Sequence, residues 1–561
     1  MSRAADNLQT SSAEAAWLAF VQHRFDNERA SIQDLDEELS LIRKYEALAK
    51  QKRNSHTGAC KLPAEIVGEI LFFARDIWRP CRTGSAAKEY EAGWMSLTHV
   101  CSFWRSTAVS LPGLWQTIAI MDIHPDYSYD ILARSARGPL RLVSFQDERF
   151  HEDDLHVVLA SRTWLSAPVF RRLEALEFIC TSLSPIETQA IVQEAPGIRA
   201  LEIHTRLAQV LPRNMLNSDN HPSLLRKLNI VGCVLPPDTH LLAPTLVFLH
   251  LNYEAVDIDD TYLTNELLLL AISSMSSLET LQLSNVSRRV NHHHNADVSL
   301  PYVSLPDTFK SLTLEENYID YLPLLVGFLE HLAVPPTAAI EVWSYENITE
   351  DDLPTLPLCH RLLQAMDFCP QSYPLPLELY AFGSKYTVRP VDCADDTSDF
   401  KRMLYLDTED PATYEILRAF PSTRIASLDM DSAILLRIMQ SRAESTGTNP
   451  WIECFSQAQS VENLVVRFLQ SAELWTALCQ PGSGLFPKLD TITVTSSFES
   501  PDDLASAPIR TTIPPLVLGM VEAIELRRAG GTPIREVKMS KNLAGCDVWG
   551  TLHRLVKVTT L

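Results

Sequence analysis

A thiol close to an imidazole is the most reactive pairing in the sequence, within the stretch LTHVCSFWRSTAVSLPGLWQTI (97–118). Cys101 follows His99 by two positions. A cysteine nucleophile needs a base within hydrogen-bonding distance and a third group that orients this base. Two residues that are two positions apart on a helix face different directions, and no Asn or Asp is placed to orient His99. The pattern therefore favours a structural cysteine at position 101 and predicts no catalytic residue here.

Three successive histidines in NHHHN (291–295) are the clearest candidate metal ligands. Their spacing does not let two rings converge on one ion, and no cysteine lies nearby. We therefore interpret them as a solvated loop and predict no metal-ligating residue. The acidic clusters HEDDLH (151–156) and TEDDLP (349–354) indicate helix starts rather than paired catalytic carboxylates.

Glycine is scarce, with 18 residues in 561, whereas about 7% is usual. The glycine motifs of phosphate-binding loops and of α/β-hydrolases do not occur. We therefore expect a protein that is not an enzyme and that binds no cofactor. An unrecognised hydrolase or transferase stays an alternative, and it would require a polar pocket with converging titratable groups.

The composition is that of a large globular protein, with 46% hydrophobic and 21% charged residues. A net charge of −22 argues against nucleic acid or an anionic membrane surface as the main partner. The 11 cysteines form no CxxC pair, and we find neither a signal peptide nor a run of 18 apolar residues. These features predict reduced thiols, a cytoplasmic or nuclear location, and no membrane span.

The first 61 residues divide into three segments. Residues 1–30 are polar and predict a partly disordered N-terminus with a short helix. Residues 31–53 predict an amphipathic helix, because apolar residues recur at steps of three and four and the charges match the helix dipole. Fewer than four heptads are present, so two interpretations stay open: weak self-association through 31–50, or packing on the next domain. Residues 54–61 indicate a linker.

Residues 62–118 predict a small helical module. Pro63 falls at a first helical position, and Ile66, Ile70 and Phe73 follow on one stripe. A later helix places its apolar residues on one face before Pro112-Gly113 ends it. The residues of that face are Val100, Trp104 and Ala108.

From about residue 170, an apolar triplet with the spacing of LxxLxL recurs. Its ten regular occurrences are Leu173-Leu176-Phe178, Ile198-Leu201-Ile203, Leu225-Leu228-Ile230, Leu246-Leu249-Leu251, Leu278-Leu281-Leu283, Phe309-Leu312-Leu314, Ile425-Leu428-Met430, Val461-Leu464-Val466, Leu489-Ile492-Val494 and Ile534-Val537-Met539. The middle residues of the first six step by 25, 27, 21, 32 and 31 positions, which are leucine-rich-repeat lengths or slightly longer. Each unit would leave an apolar face that only its neighbour covers.

The apolar stretches between the triplets predict return helices, as at 260–275 and 321–333. The proline-rich region 334–400 lacks the rhythm, which indicates either a distorted repeat or an inserted loop.

The residues Leu62-Pro63, Glu65-Ile66 and Ile70-Leu71, followed by VCSFWRSTAVSLPGLW (100–115), resemble the F-box. More closely, they resemble the F-box proteins of mushroom-forming (basidiomycete) fungi that carry a C-terminal leucine-rich-repeat-like region. The family implies a three-helix module at 62–118 that docks on the Skp adaptor of SCF ubiquitin ligases. The spacer at 72–96 is longer than usual, which puts the middle helix in question.

The resemblance carries eight docking determinants over to this chain, and some of them would form the core of the module instead. They are Leu62, Pro63, Ile66, Ile70, Val100, Cys101, Trp104 and Trp115.

Together these observations predict an α/β protein: an N-terminal helix, a small all-α F-box module, and an irregular leucine-rich-repeat-like solenoid over 119–561. The expected function is that of an adaptor that recruits an unidentified protein target through its repeats and raises the effective concentration of that target near the ligase. The alternative is a protein-interaction scaffold that does not assemble with a ligase.

Overall fold

The computed structural model describes most of the chain, and the chain divides into two compact units. The first comprises Met1–Leu142 and Arg149–Trp164, and the second comprises Val143–Glu148 and Leu165–Leu561. The described residues are 2–25, 31–83, 89–146, 155–216, 224–237, 239–253, 263–286, 300–348, 356–368, 370, 375–382, 385–391, 400–408, 410–430, 449–467, 471–495, 507–544 and 547–561.

The first unit is mainly helical. Its elements are α1 (Ser2–Phe25), α2 (Ile32–Asn54), α3 (Ala64–Ile77), β1 (Cys81–Thr83), β2 (Glu89–Glu91), α4 (Ser102–Val109), β3 (Thr117–Ala119), α5 (Ser128–Arg134) and α6 (Leu155–Trp164). Short 3₁₀ helices cover Gly58–Cys60, Gly93–His99 and Pro112–Trp115. Strand β4 (Leu140–Phe145) crosses the boundary between the two units.

The N-terminal residues are more regular than the sequence predicted. Helix α1 covers nearly the whole segment that was expected to be polar and partly disordered. Helix α2 lies where the amphipathic helix was predicted, and a capping box between Ser31 and Asp34 starts it. None of its side chains is buried, and its apolar residues Ile32 and Tyr45 are 81% and 58% exposed.

The segment 62–118 is not all-α, which corrects the prediction. Strands β1 and β2 pair antiparallel within the long spacer, with Arg82 opposite Tyr90. The middle helix is a 3₁₀ helix at Gly93–His99 rather than an α-helix. The expected linker 54–61 also contains a 3₁₀ turn, Gly58–Cys60. Residues 81–83 and 89–91 of the spacer therefore form a two-stranded ladder between α3 and α4.

The second unit alternates strands with helices, and its short helices lie between successive strands. Its helices are α7 (Ala167–Phe170), α8 (Pro185–Ala190), α9 (Asn265–Ser273), α10 (Leu322–Glu330), α11 (Leu356–Ala365), α12 (Asp410–Ala419), α13 (Pro450–Phe455), α14 (Ala472–Cys479), α15 (Ala507–Ala529) and α16 (Lys541–Ala544). Helices α9 and α10 lie where return helices were predicted.

The strands of the second unit form one long, mostly parallel sheet and a separate short pair, β10 with β12. They are β5 (Leu173–Cys180), β6 (Ala200–Val210), β7 (Lys227–Val234), β8 (Phe248–Asn252), β9 (Thr280–Ser284), β10 (Val303–Ser304), β11 (Ser311–Glu316), β12 (Leu332–Ala333), β13 (Ala339–Ile348), β14 (Leu377–Phe382), β15 (Lys385–Pro390), β16 (Arg402–Thr408), β17 (Ile425–Met430), β18 (Asn463–Arg467), β19 (Thr491–Thr495), β20 (Glu536–Met539) and β21 (Lys557–Thr560).

The apolar triplets form the core of this unit. All 30 side chains of the ten triplets are buried. Their middle residues stand opposite one another in the parallel ladders, as Leu201 does with Leu228 and Leu249 with Leu281. The inward-facing side chains of each strand therefore pack against those of the neighbouring strand. This is expected when strands with buried residues at every second position pair in register. The sequence pattern predicted these strands.

The region 334–400 is a rearranged part of this sheet rather than a plain loop. Strand β13 pairs in parallel with β16, and β14 pairs in parallel with β17. Between them, β15 runs antiparallel to both β14 and β16. The spatial order is therefore β13, β16, β15, β14, β17, and the hairpin β14–β15 has been inserted against the chain order. In this region, residues 349–355, 369, 371–374, 383–384 and 392–399 lie outside the described part of the chain.

Arg402 occupies an inward position in the ladder, opposite Ile340. Its side chain is 1% exposed. The guanidinium donates to the carbonyl oxygens of Met366 (3.0 Å), Pro336 (3.3 Å) and Ala338. These acceptors satisfy a charged group at a site where other strands place an aliphatic residue.

Among the described residues, no helix combines the length and the apolar character that a membrane crossing requires.

Candidate functional site

Helix α3 separates its residues into a buried face and an exposed apolar face. Val67 and Leu71 are fully buried. Gly68 lies close to Leu111, since a Cβ at this position would come within 3.1 Å of a Leu111 methyl carbon. This close packing fixes which face of α3 turns inward.

The exposed face of α3 carries four apolar residues at positions i, i+4, i+7 and i+11: Ile66, Ile70, Phe73 and Ile77. We call them the α3 stripe. Ile66, Phe73 and Ile77 are 46%, 68% and 70% exposed, and Ile70 is half-buried. Such spacing aligns side chains along one side of a helix. Exposed apolar residues gathered in this way mark interaction surfaces.

The two residues before α3 lie at its N-terminal end. Pro63 caps the helix one position earlier than predicted, and its carbonyl oxygen accepts from the Val67 amide at 3.1 Å. Leu62 is half-buried and Pro63 is exposed. Beyond the other end of the helix, Trp78 is 45% exposed. The stripe therefore has an accessible apolar residue at each end.

The prediction that Val100 shares one helix face with Trp104 and Ala108 is wrong, although the latter two residues do lie together on the buried face of α4. Helix α4 begins at Ser102, and Cys101 before it is extended, with φ −162° and ψ 172°. The extended residue breaks the helical period. Val100 is therefore 51% exposed, while Trp104 is 8% exposed and Ala108 is fully buried.

The tryptophans of the segment belong to its own core. The Trp104 indole donates to the Ala59 carbonyl oxygen at 3.2 Å, and the Trp115 indole donates to that of Ala108 at 2.9 Å. The Trp94 ring packs on Trp115 with centroids 4.9 Å apart. The eight predicted determinants thus divide: Cys101, Trp104 and Trp115 are buried, and Leu62, Pro63, Ile66, Ile70 and Val100 are at least partly accessible.

Sequence reasoning left three exposed residues out of the site: Phe73, Ile77 and Trp78. Phe73 had been assigned to the stripe but not to the docking set. Ile77 follows Phe73 by four positions, so extending the helical period by one turn would have found it. Trp78 comes after the last helical residue, and no periodic signal identifies it.

The cysteine at position 101 contacts another thiol rather than a base. Its sulfur lies 3.3 Å from that of Cys60, and the His99 side chain is exposed. No group of three or more His, Cys, Asp or Glu side chains that could hold a metal occurs within the described part of the chain. The histidines at 291–295 and the acidic residues at 151–154 and 349–354 lie outside it.

The outward side of the parallel sheet offers a second, polar and aromatic surface. Three rings gather on β13 and β16, with Trp343 5.5 Å from Tyr405 and 6.0 Å from Tyr345 between centroids. Trp343 stands opposite Glu315 of β11 on one side and Tyr405 on the other. Tyr345 is 47% exposed, so the cluster is accessible.

Farther along the same side, a paired carboxylate lies between β6 and β7. The Glu202 carboxylate accepts from the Lys227 ammonium at 2.8 Å and from the Asn229 amide at 3.2 Å. Burial alone would raise the pKa of Glu202, but these hydrogen bonds lower it below its ordinary value. Burial, together with nearby His204, lowers the pKa of His250 on β8. The Asn229 amide nitrogen also lies 3.0 Å from the Nε2 atom of His204, so these groups form one polar cluster along the strand ladder.

No protein-family model matches the sequence, and no curated protein matches it. Among solved structures, the chain is similar to the leucine-rich-repeat-containing protein LegL7 from Legionella pneumophila, with 12% identity. The match covers 68% of this chain and 88% of that chain, with a TM-score of 0.24.

Proposed function

We propose that the chain is a substrate-recruiting adaptor in which residues 62–118 act as an F-box and dock on the Skp adaptor of an SCF ubiquitin ligase. The observation that supports this most is the α3 stripe. A docking module needs accessible apolar anchors, some of them aromatic, at the centre of a modest patch. Ile66, Phe73 and Ile77 are exposed, although the same helix buries its other face tightly.

The module's own core supports the same assignment. Trp104 and Trp115 are held inside by indole hydrogen bonds to the carbonyl oxygens of Ala59 and Ala108, so they stabilise the module and contribute little surface. The anchors and the core are therefore separate sets of residues. A substitution on the α3 stripe would remove docking without unfolding the module.

The second unit would hold the target. Its parallel ladder presents outward side chains in rows, among them the rings of Trp343, Tyr345 and Tyr405. Aromatic residues are enriched at the centres of protein interfaces. Recruitment would act through proximity, because a bound target stays near the ligase for longer. In this proposal the chain itself performs no chemistry.

Co-purification with a Skp-type adaptor protein tests the proposal. The wild-type chain is expected to bind, and the double variant Leu62→Ala/Pro63→Ala is expected to lose the adaptor while the second unit keeps its thermal transition. A standard F-box protein serves as the positive control under the same conditions. The proposal fails if that control binds and the wild-type chain does not.

A scaffold that does not assemble with a ligase is the second candidate, and the spacer favours it. The β1–β2 hairpin and the 3₁₀ helix at Gly93–His99 stand where the family has its middle helix. If the hairpin blocks docking, replacing residues 81–91, which include both strands, by a short flexible linker would restore adaptor binding. If neither chain binds, the scaffold is the better description.

A further inference from the structure

Two thiols of the first unit are in direct contact although 41 positions separate them in the chain. The sulfur of Cys60 lies 3.3 Å from that of Cys101. Cys60 ends the 3₁₀ turn Gly58–Cys60, and Cys101 is the residue before α4. Cys60 is half-buried and Cys101 is 8% exposed.

Backbone interactions hold both cysteines in place. The Cys60 amide donates to the Thr57 carbonyl oxygen at 3.2 Å, and the Cys101 carbonyl oxygen accepts from the Arg105 amide at 3.0 Å. Between them, the Trp104 indole donates to the Ala59 carbonyl oxygen at 3.2 Å. The sulfurs therefore approach one another from two anchored segments.

We propose that Cys60 and Cys101 form a dithiol modification site, which a peroxide converts into an intramolecular disulfide. The half-buried Cys60 thiol attacks hydrogen peroxide, which breaks the O–O bond and gives a sulfenic acid and water. The Cys101 thiol then attacks the Cys60 sulfur, forming the S–S bond and releasing a second water. The two thiols lose two electrons and two protons together, and the peroxide is reduced.

Formation of the disulfide requires only a small movement of the two sulfur atoms. A disulfide brings its sulfurs to about 2 Å, so the two Sγ atoms must approach by a little over 1 Å. The bond would tie the turn that precedes Leu62 and Pro63 to the start of α4. Because it closes a loop that contains α3, it would restrict the unfolded chain and raise the melting temperature of the first unit.

Other described cysteines lack this combination of contact and access. Burial raises the pKa of Cys180 to about 12 and that of Cys233 to about 11, so these thiols stay protonated. Burial, Glu91 and Asp122 also raise the pKa of Cys81. The inference does not depend on the proposed adaptor function, because the bond forms within this chain alone.

Peptide mapping of the full-length chain tests the site, because trypsin places each cysteine in its own peptide. Cys60 is the single cysteine of NSHTGACK (54–61), and Cys101 is that of EYEAGWMSLTHVCSFWR (89–105). The protein would be treated with hydrogen peroxide, alkylated, and digested without reductant. We expect the two peptides to appear joined, lighter by two hydrogen atoms, and to separate again with dithiothreitol.

Two variants complete the test. Cys60→Ser should abolish the joined species, and Cys81→Ser, a half-buried cysteine of the same unit, should retain it. The digest of the wild-type protein does not depend on the folding of any variant. It therefore tests whether the disulfide forms even if Cys60→Ser is unstable. The proposal is overturned if both peptides are recovered singly, alkylated or oxidised to sulfinic acid, after peroxide treatment. It is also overturned if Cys60 joins other cysteines as often as Cys101.

Discussion

Ile66 and Val67 are consecutive residues of α3 that lie in opposite environments, since Ile66 is 46% exposed and Val67 is fully buried. This contrast continues along the helix. Leu71 is buried and Phe73 is 68% exposed. Stability and docking should therefore depend on different residues of one helix.

Truncation on the two faces of α3 tests that separation. Leu71→Ala should lower the free energy of unfolding of the first unit by about 2–5 kcal/mol, because it leaves a cavity in the core. Phe73→Ala should change it by about 0.5 kcal/mol or less, because the side chain is largely solvated. Urea unfolding followed by circular dichroism measures both. Equal losses would mean that Phe73 is part of the core.

Replacing the buried arginine of the sheet should destabilise the second unit. Burial lowers the pKa of Arg402 to about 10, so the guanidinium is still charged at neutral pH. Arg402→Met keeps much of the volume but leaves the carbonyl oxygens of Met366 and Ala338 without this donor, at about 1–3 kcal/mol for each unsatisfied group. Thermal unfolding should show a clearly lower melting temperature. The neighbouring change Met403→Leu conserves volume and should have a smaller effect, so a larger loss in that control would contradict this account.

Helix α2 should support weak self-association, because its apolar side chains are not covered. Ile32, Leu39 and Tyr45 are 81%, 44% and 58% exposed. Sedimentation equilibrium should give an average mass that rises with protein concentration. Leu39→Glu/Tyr45→Glu should remove the rise, and a matched change in the second unit, Leu518→Glu, should leave it. A constant monomer mass in the wild type would show that α2 does not pair.

The ion pair between Glu202 and Lys227 should contribute stability that acid removes. The folded-state pKa of Glu202 lies below its ordinary value, so the contribution is complete above about pH 4.3, the unfolded value. It is lost as the pH falls through the folded pKa. At pH 7, Glu202→Gln should cost at most about 1 kcal/mol, because the pair is partly solvated.

Melting temperatures at several pH values measure this effect. The difference between wild type and Glu202→Gln should shrink toward zero in acid, while Glu177→Gln, on the adjacent strand, should show a smaller difference at pH 7. A difference that does not depend on pH would remove the ion pair as its cause.

Much of the parallel sheet could be predicted from the sequence, because burial of alternate residues imposes a period of two. Leu201, Leu228 and Leu249 were assigned to strands from that period, and they stand in register. The inserted hairpin β14–β15 could not be predicted, because strand order depends on which edges meet in space. The buried position of Arg402 could not be predicted either, because its hydrogen-bond acceptors belong to residues 36 and 64 positions away in the chain.

The candidate site was predicted only in part, and each error in the prediction has a local structural cause. The helical period found Ile66, Ile70 and Phe73. It failed at Val100, because the extended conformation of Cys101 separates this residue from α4. The resemblance supplied Trp104 and Trp115 without indicating that both are buried. Burial depends on tertiary contacts such as that between Trp94 and Trp115, which no local pattern encodes.

The most direct measurement is a calorimetric titration of a Skp-type adaptor into the full-length chain and into Phe73→Asp, with Leu518→Asp as the charge-matched control. The account predicts that the wild type and Leu518→Asp bind with the same affinity and that Phe73→Asp loses at least tenfold, because a charge would be placed at the centre of the α3 stripe. Unchanged binding by Phe73→Asp, or no binding by the wild type while a standard F-box protein binds, would contradict it.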